Sequence, residues 1–438
     1  MTYQETIDYL YNVTPLFQNV GAGAYKEGLS NTKALDEHFG HPHRYFKTIH
    51  VAGTNGKGSC SHTLAAIFQS AGYRVGLYTS PHLVDFRERI RINGEPIPEQ
   101  YVVDFVENER AFFEPLHPSF FELATAMAFK YFADELVDIA IVEVGLGGRL
   151  DCTNIIHPEL SIITNISFDH IQFLGDTLPQ IAKEKAGIIK KGVPVVIGEC
   201  TPETRMVFQQ KADEVGAPIV FAEDAKFVIS SNPTFKDGHA GRTYQLRPGI
   251  ISQTTLYGEL GGDCQEKNTN TLLHAIRQLV YAGHMFEMEH ILNGFANVCS
   301  LTGLMGRWQV LRTNPTVICD TGHNVGGLQY ITRQLQEMPC KQLRIVMGMV
   351  NDKDIHGVLE MLPKEARYYF TQASVKRALP YKEMAQRAAE IGLLGNSYAN
   401  VPLAFDAACK DADIDDVIFV GGSTFVVADL LTSGNFGR

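Results

Sequence analysis

The sequence of 438 residues lacks several features that would assign it to a class at once. It has a single tryptophan, and none of its eight cysteines are paired in C-x-x-C spacing, which argues against a zinc ribbon or a disulfide framework. No apolar run is long enough to span a bilayer, and the N-terminal residues include Glu5 and Asp8 instead of the basic stretch of a signal peptide. These absences predict a cytoplasmic protein with free thiols and no membrane partner.

Basic residues are also in short supply. The chain has 38 Lys plus Arg against 49 Asp plus Glu, a formal net charge of -11. Residues 298–438 hold 14 of each sign, so the whole imbalance lies in residues 1–297, with 24 basic and 35 acidic side chains. A bulk nucleic-acid binder needs a positive surface. The balance therefore predicts no nucleic-acid partner, and it divides the chain into two unlike parts.

Short apolar segments alternate with helical patterns through the first part. Because parallel strands need crossover connections, this alternation predicts an α/β fold with a doubly wound parallel sheet. Residues 226–262, broken by Pro, Gly and Asp, predict a small antiparallel patch. The predicted strands of the sheet are Phe46–Gly53, Val75–Ser80, Asp138–Gly145, Leu160–Ser167 and Pro194–Glu199.

A second, smaller Rossmann-like α/β run starts near Gln309. We predict an ATP-binding domain over residues 1–297, a hinge linker over 298–308 with glycines at 303 and 306, and a C-terminal domain over 309–438. The predicted strands of the C-terminal domain are Thr316–Thr321, Leu343–Met349, Arg367–Ala373 and Asp416–Gly422.

The strongest local signal is the segment HVAGTNGKGS, His50–Ser59, between a predicted strand and a predicted helix. Glycines allow the backbone to curl so that N–H groups and the helix dipole face phosphate oxygens. Lys57 is placed to reach the β- and γ-phosphates, and the Ser59 hydroxyl to assist phosphate or Mg²⁺ binding. A Gly-rich turn that binds nothing is the weaker alternative. The predicted loop consists of Gly53, Thr54, Asn55, Gly56, Lys57, Gly58 and Ser59.

Two polar residues follow neighbouring predicted strands. Glu143 ends an apolar strand before a Gly-rich turn, and His170 follows the next strand. Strand carboxyl ends line the ligand crevice of an open α/β sheet, so the pair predicts a metal site there. A capping or ion-paired glutamate and a structural histidine are the alternatives.

The loop sequence GTNGKGS resembles the nucleotide loop of the Mur ligase superfamily. The most similar branch is the folate branch, which comprises folylpolyglutamate synthase and the bifunctional dihydrofolate synthase/folylpolyglutamate synthase. The resemblance runs in order along nearly the whole chain. It is carried by Tyr25–Asn31, the phosphate loop, Tyr78–Leu83, Glu143–Asn154, Thr164–His170, Ala182–Val196, the GxxQxxN pattern of Gly262, Gln265 and Asn268, Met305–Trp308, and Asp320–Asn324. Collinear motifs in this number are far more specific than any one of them.

The resemblance implies ATP and two Mg²⁺ sites. Glu143 and His170 match ligands of one ion, and Ser80 matches a serine that helps to hold the other. Lys185 matches a lysine that is carbamylated in many Mur-type ligases, a modification that converts an ammonium into an anion able to support Mg²⁺. From the residues alone, Lys185 and its neighbouring lysines read as a charged helix face.

The resemblance also implies substrate contacts. The resemblance places Asp151 near the pterin or acyl-phosphate end of the site. Arg149, in the same motif, is a further expected substrate residue, although an ion pair between the two is an alternative. Phe121 and Glu122 belong to an FFE segment that resembles one associated with the folate site, yet Phe at the start of an apolar helix is commonly a core residue.

In the second domain, the family motif D-G-A-H-N reads D-T-G-H-N here. By resemblance, Asp320 bonds the ATP ribose and His323 lies near the phosphates or the incoming amino acid. Arg307 matches an arginine that reaches the γ-phosphate, for which its forked guanidinium is suited. Asn268 matches an adenine-contacting position.

The implied reaction joins L-glutamate to a folate or dihydropteroate carboxylate at the expense of ATP, in a monomeric enzyme of folate biosynthesis and one-carbon metabolism. A cell-wall Mur ligase is one alternative, although only 49 residues precede His50, which leaves little room for a UDP-binding domain. A non-catalytic nucleotide-binding regulator is the other, and the presence of Lys57, Glu143, His170 and Lys185 argues against it.

Overall fold

The computed structural model describes residues 1–14, 28–236, 239–351 and 353–434. The motif Tyr25–Asn31 falls partly outside this set, because residues 25–27 are not described. Within the described chain, no helix is long and apolar enough to cross a membrane. Contacts between residues divide the chain into two compact units. The large unit comprises Met1–Ser231, Tyr244–Tyr257 and Glu266–Leu304; the small unit comprises Asn232–Thr243, Gly258–Gln265 and Met305–Arg438.

The large unit is built on an eight-stranded sheet in the order β4-β3-β2-β5-β1-β6-β7-β8. The strands from β2 to β8 in that order run parallel, which confirms the predicted α/β fold, whereas β3 pairs antiparallel with β2 and β4. The strands are β1 (Lys47–Ala52), β2 (Val75–Tyr78), β3 (Ile90–Ile92), β4 (Glu95–Pro96), β5 (Ile139–Glu143), β6 (Leu160–Ile163), β7 (Val195–Ile197) and β8 (Ile219–Phe221).

Helices cover both faces of this sheet, because its central strands are apolar on both sides. Ile49 and Val51 of β1 enter one core, and Ala140 and Val142 of β5 enter another. The helices are α1 (Tyr3–Val13), α2 (Ser30–His38), α3 (Lys57–Ser70), α4 (Glu99–Phe113), α5 (Phe120–Asp134), α6 (Ile171–Leu174), α7 (Leu178–Lys185), α8 (Pro202–Val215), α9 (Gln265–Tyr281), α10 (Met288–Ala296) and α11 (Val298–Thr302).

A separate three-stranded sheet, in the order β11-β10-β9, falls within the predicted patch at residues 226–262. Its strands are β9 (Val228–Lys236), β10 (His239–Leu246) and β11 (Thr255–Gly258).

The small unit holds a six-stranded sheet in the order β12-β13-β17-β14-β15-β16, parallel except for the β12–β13 pair. Its strands are β12 (Gln309–Thr313), β13 (Thr316–Cys319), β14 (Leu343–Met347), β15 (Arg367–Phe370), β16 (Gly395–Ser397) and β17 (Val417–Gly421). Its helices are α12 (Val325–Glu337), α13 (Ile355–Glu360), α14 (Tyr381–Glu390), α15 (Val401–Asp411) and α16 (Thr424–Ser433).

Two segments that precede residue 298 in sequence group with the small unit. Asp263 links these segments to α12. Its buried carboxylate accepts from Arg242 on β10 and, at 2.9 Å, from Arg333 on α12. The backbone N–H of Asp263 donates to the Gln334 side chain at 2.8 Å. The last passage of the chain from the large to the small unit falls between Leu304 and Met305, inside the predicted linker. The domain limits 1–297, 298–308 and 309–438 stay a prediction.

Candidate active site

The loop between β1 and α3 has the backbone that the glycines predict. Gly53 and Gly56 have φ values of +144° and +81°, which favour glycine. A Cβ on Gly53 would lie 1.8 Å from Thr164 Oγ1, and one on Gly56 would lie 2.4 Å from Asn268 Oδ1. Side chains at these two positions would collide with their neighbours. Asn268, in the first turn of α9, therefore lies against the phosphate loop; its predicted contact with the adenine stays a prediction.

The segment after β6 braces this loop. Thr54 N donates to the Asn165 carbonyl at 3.0 Å, and Asn55 N donates to Asn165 Oδ1 at 2.9 Å. Thr164 Oγ1 donates to the Asn55 carbonyl at 2.6 Å. Gly58 and Ser59 follow in α3, both buried. We did not predict the role of Asn165, although the motif Thr164–His170 contained the residue.

Two lysines meet at the loop. Lys57 Nζ donates to the Thr54 carbonyl at 3.2 Å, and Lys185 Nζ, from the end of α7, donates to the Gly53 carbonyl at 3.0 Å. Lys185 is 4% exposed. Burial, with the nearby Lys57 charge, lowers the pKa of Lys185 to about 7. No carboxylate among the described residues forms an ion pair with it. Lys185 thus belongs to the phosphate-loop site and not to a solvated helix face.

Glu143 ends β5 beside Val51 of β1, and it is buried. Its Oε2 accepts from the Ser80 backbone N–H, after β2, at 3.2 Å. The structure therefore brings Glu143 and Ser80 together at the carboxyl edge of the sheet.

His170 lies after β6 at a φ of +49°, and its backbone N–H donates to Asp169 Oδ1 at 2.9 Å. Its Nε2 is 3.9 Å from the same Asp169 carboxylate oxygen. The part of the chain that the structure describes has no group of three or more His, Cys, Asp or Glu side chains arranged as a metal site. A divalent ion held by Glu143 would therefore need hydroxyl, water or substrate oxygens as further ligands, a set that suits Mg²⁺.

The turn after Glu143 is held by Asp151. Its carboxylate accepts from Leu146 N at 2.8 Å, from Thr153 N at 3.0 Å and from the Thr153 hydroxyl. Asp151 is buried, and burial raises the pKa of its carboxyl. Arg149 pairs not with Asp151 but with Glu184, at 3.0 Å, and its side chain is 52% exposed.

Phe121 and Glu122 open α5 on the other side of this turn. The Phe121 ring stacks on Tyr78 at 5.8 Å between centroids, and a Cβ on Gly145 would lie 2.5 Å from it. Glu122 is buried, and its carboxylate accepts from Ser119 N at 2.6 Å in a capping box. Phe121 therefore touches the site turn, whereas Glu122 caps its own helix.

A buried arginine, Arg89, was missed by the sequence analysis. Its Nε donates to His82 Nδ1 at 2.7 Å, and the Tyr11 hydroxyl lies 3.2 Å from His82 Nε2. Burial lowers the pKa of His82 well below its ordinary value. The motif Tyr78–Leu83 contains His82, but nothing in the sequence pairs it with a residue outside the motif.

In the small unit, Arg307 and Asp320 lie on adjoining segments. Arg307 Nη1 donates to the Thr321 hydroxyl. The Asp320 carboxylate accepts from Trp308 N at 2.7 Å and from Gly322 N at 2.8 Å, and burial raises the pKa of its carboxyl. His323 Nδ1 lies 3.0 Å from the Thr321 carbonyl. The side chains of Asp320 and His323 are thus held by backbone groups, most of them within the motif Asp320–Asn324 itself.

Comparison with known proteins identifies the family. Residues 51–245 match the Mur ligase middle domain, and residues 306–424 match the Mur ligase, glutamate ligase domain. The folylpolyglutamate synthase of Lacticaseibacillus casei is 32% identical over 98% of this chain and 97% of its own length. The chain belongs to the folylpolyglutamate synthase family of Mur ligases.

Other relatives agree with this membership. A Haloferax volcanii protein named as a bifunctional folylpolyglutamate synthase/dihydropteroate synthase is 32% identical over 99% of this chain, which spans 50% of that protein. Escherichia coli FolC in complex with DHPP and ADP has a TM-score of 0.80 at 30% identity, covering 99% of this chain and 98% of FolC. A Yersinia pestis folylpolyglutamate synthase/dihydrofolate synthase complexed with AMPPNP and Mn ion has a TM-score of 0.81 at 30% identity, covering 99% and 98%.

A folylpolyglutamate synthase is a ligase, so the predicted enzyme class is confirmed. The alternative of a non-catalytic nucleotide-binding regulator finds no support among these relatives.

Proposed function

We propose that this protein is an ATP-dependent ligase that joins a folate or dihydropteroate carboxylate to the amine of L-glutamate, as a cytoplasmic monomer. The observation that carries the proposal is the phosphate loop, with Lys57 and the buried Lys185 bonded to its backbone. Beside it, Glu143 accepts a hydrogen bond from Ser80 N at the end of the neighbouring strand. The relatives named folylpolyglutamate synthase, and the DHPP and ADP bound by FolC, support the substrate classes.

The chemistry begins with two anions that repel each other, the acceptor carboxylate and the triphosphate. Lys57 and the loop N–H groups stabilise the phosphate charge while the carboxylate oxygen attacks the γ-phosphorus. A new O–P bond forms, the bond to the ADP oxygen breaks, and an acyl phosphate results. The glutamate amine then attacks the acyl carbon, phosphate leaves, and the nitrogen loses a proton to give the amide.

We propose that Mg²⁺ is held at two places by Ser59, Ser80, Glu143, His170 and Lys185. Glu143 and the serine hydroxyls are the hard oxygen ligands that Mg²⁺ prefers, and the Mn ion of the Yersinia pestis relative supports a divalent ion. When bound, Mg²⁺ supplies positive charge against the phosphate oxygens. The hydrogen bond from Ser80 N orients the Glu143 carboxylate.

Lys185 serves this site as a carbamate. A carbamate forms when a neutral amine adds to CO₂ and loses a proton, and burial supplies the neutral amine because it lowers the pKa of Lys185 to about 7. The modification would also replace a buried cation beside Lys57 with an anion. Mass spectrometry of the native protein in bicarbonate should show a gain of one CO₂ that Lys185→Met abolishes.

The remaining predicted residues have distinct proposed roles. Phe121 flanks the acceptor, and Arg149 and Asp151 shape its site through the turn after Glu143. Glu122 acts indirectly, because it caps the start of the helix that carries Phe121. Asn268 contacts the adenine. In the small unit, Arg307 and Asp320 are proposed nucleotide contacts, and His323 a glutamate contact.

Glutamate-dependent ADP release tests the proposal, with dihydropteroate, tetrahydrofolate or a UDP-muramyl peptide as acceptor. We expect turnover with the two pteridine acceptors and none with the peptide. Lys57→Ala should abolish turnover, and Lys191→Ala, at an exposed lysine, is the matched control. ATP binding without ADP release from any acceptor would contradict the proposal. Turnover with one pteridine alone would decide between dihydrofolate synthase and folylpolyglutamate synthase activity.

A further inference from the structure

A chain of buried hydrogen bonds runs from β1 to the turn that follows Glu143. His50 Nε2 lies 2.8 Å from Thr153 Oγ1, the Thr153 hydroxyl donates to Asp151 Oδ1, and Asp151 Oδ2 accepts from Leu146 N at 2.8 Å. His50 and Thr153 are both 0% exposed, and Asp151 is 5% exposed. All of these residues lie in the large unit.

The direction of each bond follows from the hydrogens available. A threonine hydroxyl has one hydrogen, and Thr153 gives it to the carboxylate of Asp151. The Thr153 oxygen must then accept from His50, which makes His50 the tautomer protonated at Nε2. Its Nδ1 is buried with no hydrogen-bond partner among the described residues. Burial lowers the pKa of His50 to about 3, so the ring stays neutral.

A histidine at this position is costly for a strand core. It occupies the centre of the sheet, opposite Val142 of β5 and Ser161 of β6, where an apolar side chain would fill the space without desolvating a ring nitrogen. What the ring adds over an apolar residue is one donor, aimed at Thr153. The hydrogen bond from His50 to Thr153 therefore has a role beyond packing.

That role lies at the acceptor end of the site. Leu146 belongs to the turn directly after Glu143, and Asp151 acts electrostatically on Lys185. The same turn packs closely on α7, since a Cβ on Gly148 would lie 3.0 Å from the Lys185 carbonyl oxygen. A rotation of Asp151 would therefore disturb the turn between Glu143 and Lys185.

We propose that His50 is a positioning residue for the acceptor half of the site. Its donated hydrogen bond commits the Thr153 hydroxyl to Asp151, and Asp151 then holds the turn after Glu143. The inference rests on the proposed ligase function, because acceptor turnover is one of its readouts.

Four variants test the role by steady-state kinetics. His50→Met fills the space without a donor, His50→Gln keeps an N–H at a similar reach, and Thr153→Val removes the hydroxyl. Thr48→Val is the matched control, because Thr48 is also buried and lies two residues away on the same face of β1. We expect His50→Met and Thr153→Val each to lower kcat/KM for the acceptor by about tenfold. The KM for ATP should stay within about twofold of wild type, and His50→Gln should restore most of the loss.

The double variant His50→Met/Thr153→Val should be no worse than Thr153→Val, since both break the same chain. A drop in melting temperature with unchanged acceptor kcat/KM would assign His50 to packing and overturn the proposal. So would a His50→Gln variant as impaired as His50→Met, or additive losses in the double variant.

Nitrogen-15 NMR of the histidine rings gives a readout that does not depend on turnover. We expect a His50 signal of the neutral Nε2–H tautomer, protected from exchange, constant from pH 5 to 8 and shifted by Thr153→Val. A ring protonated at Nδ1, or one that titrates in this range, would overturn the proposal. If the wild type shows this signal but turns over no acceptor, the ligase function fails while the hydrogen-bond chain stands.

Discussion

The amino and carboxyl edges of the eight-stranded sheet treat charge in opposite ways. At the amino edge, Glu159 accepts from Lys47 at 2.8 Å and from His284 at 2.7 Å, so three charged or polar groups satisfy one another. At the carboxyl edge, the buried Lys185 faces the Gly53 carbonyl and lies near a second cation, Lys57. Charge that is matched within the protein stabilises the fold, whereas mismatched charge marks the place where a ligand or a modification is to complete the site.

Lys185→Met should produce the largest effect, and in opposite directions for activity and stability. Ligation should fall by about 10²–10³-fold, because the site loses a group at the phosphate loop. The free energy of unfolding should rise by about 1–4 kcal/mol, since an apolar side chain replaces a poorly compensated buried ammonium. ADP release in bicarbonate buffer measures ligation, and urea unfolding in CO₂-free buffer measures the free energy of unfolding. Lys183→Met, at an exposed lysine of the same helix, is the control for both.

The stability gain of Lys185→Met should also depend on pH. The folded-state pKa of Lys185 is about 7 against an ordinary 10.5, so the unfolded chain binds more protons between these values. The destabilisation by Lys185 is therefore complete below about pH 7 and fades as the pH rises toward 10.5. A gain as large at pH 10 as at pH 6, or a variant less stable than wild type at pH 6, would contradict this account.

Glu143→Gln should come next, with about a 10²–10³-fold loss of ligation and little change in stability. The glutamine can still accept the hydrogen bond from Ser80 N, so the strand end keeps its local structure. What disappears is the negative charge proposed to hold Mg²⁺. Retained turnover at saturating Mg²⁺ would remove Glu143 from the list of metal ligands.

Glu159→Gln should show the reverse profile at the other edge. The free energy of unfolding should fall by about 1 kcal/mol at pH 7, and ligation should not change. Burial favours a higher pKa for Glu159, but hydrogen bonds from Lys47 and His284 lower the pKa below its ordinary value. The stability from these bonds is present above the ordinary pKa and is lost as the pH falls through the folded-state pKa. The unfolding curves of wild type and variant should therefore converge in acid; a constant gap would refute the ion-pair explanation.

Arg149→Met should have the smallest effect. The guanidinium is half exposed and pairs with Glu184, so we expect a change in stability of less than about 0.5 kcal/mol. The acceptor KM should rise by no more than about threefold, because the backbone of Arg149 keeps its bond to Glu184. A tenfold or larger rise in that KM would mean that Arg149 contacts the substrate directly, as the family resemblance implies.

The sequence predicted the architecture well, because apolar strands and helices with 3.6-residue periodicity report directly on burial. The parallel sheet, the strand–loop–helix at Gly53–Ser59 and the second α/β run are all present. The strands β3, β4, β8 and β16 were missed: they have two or three residues each, too few for a periodic pattern. The five-residue β12 was also missed.

Site residues were predictable where a sequence motif indicates their chemistry. They were unpredictable where their hydrogen-bond partners are distant in sequence. Lys57 follows from its loop. Glu122 was also readable, because Ser119 and Glu122 form the Ser-x-x-Glu signature of a capping box, and its carboxylate accepts from Ser119 N. His50 and Thr153 are 103 residues apart, and no spacing rule connects a strand residue to a turn on another part of the sheet.

The interleaved arrangement of the two units has a consequence for how the chain is made. Asn232–Thr243 and Gly258–Gln265 leave the ribosome before Met305, yet they group with residues that follow Met305. During synthesis these segments, including the Arg242–Asp263 pair, precede the rest of their unit by about forty residues or more. A fragment beginning at Met305 would therefore lack two segments of its own unit.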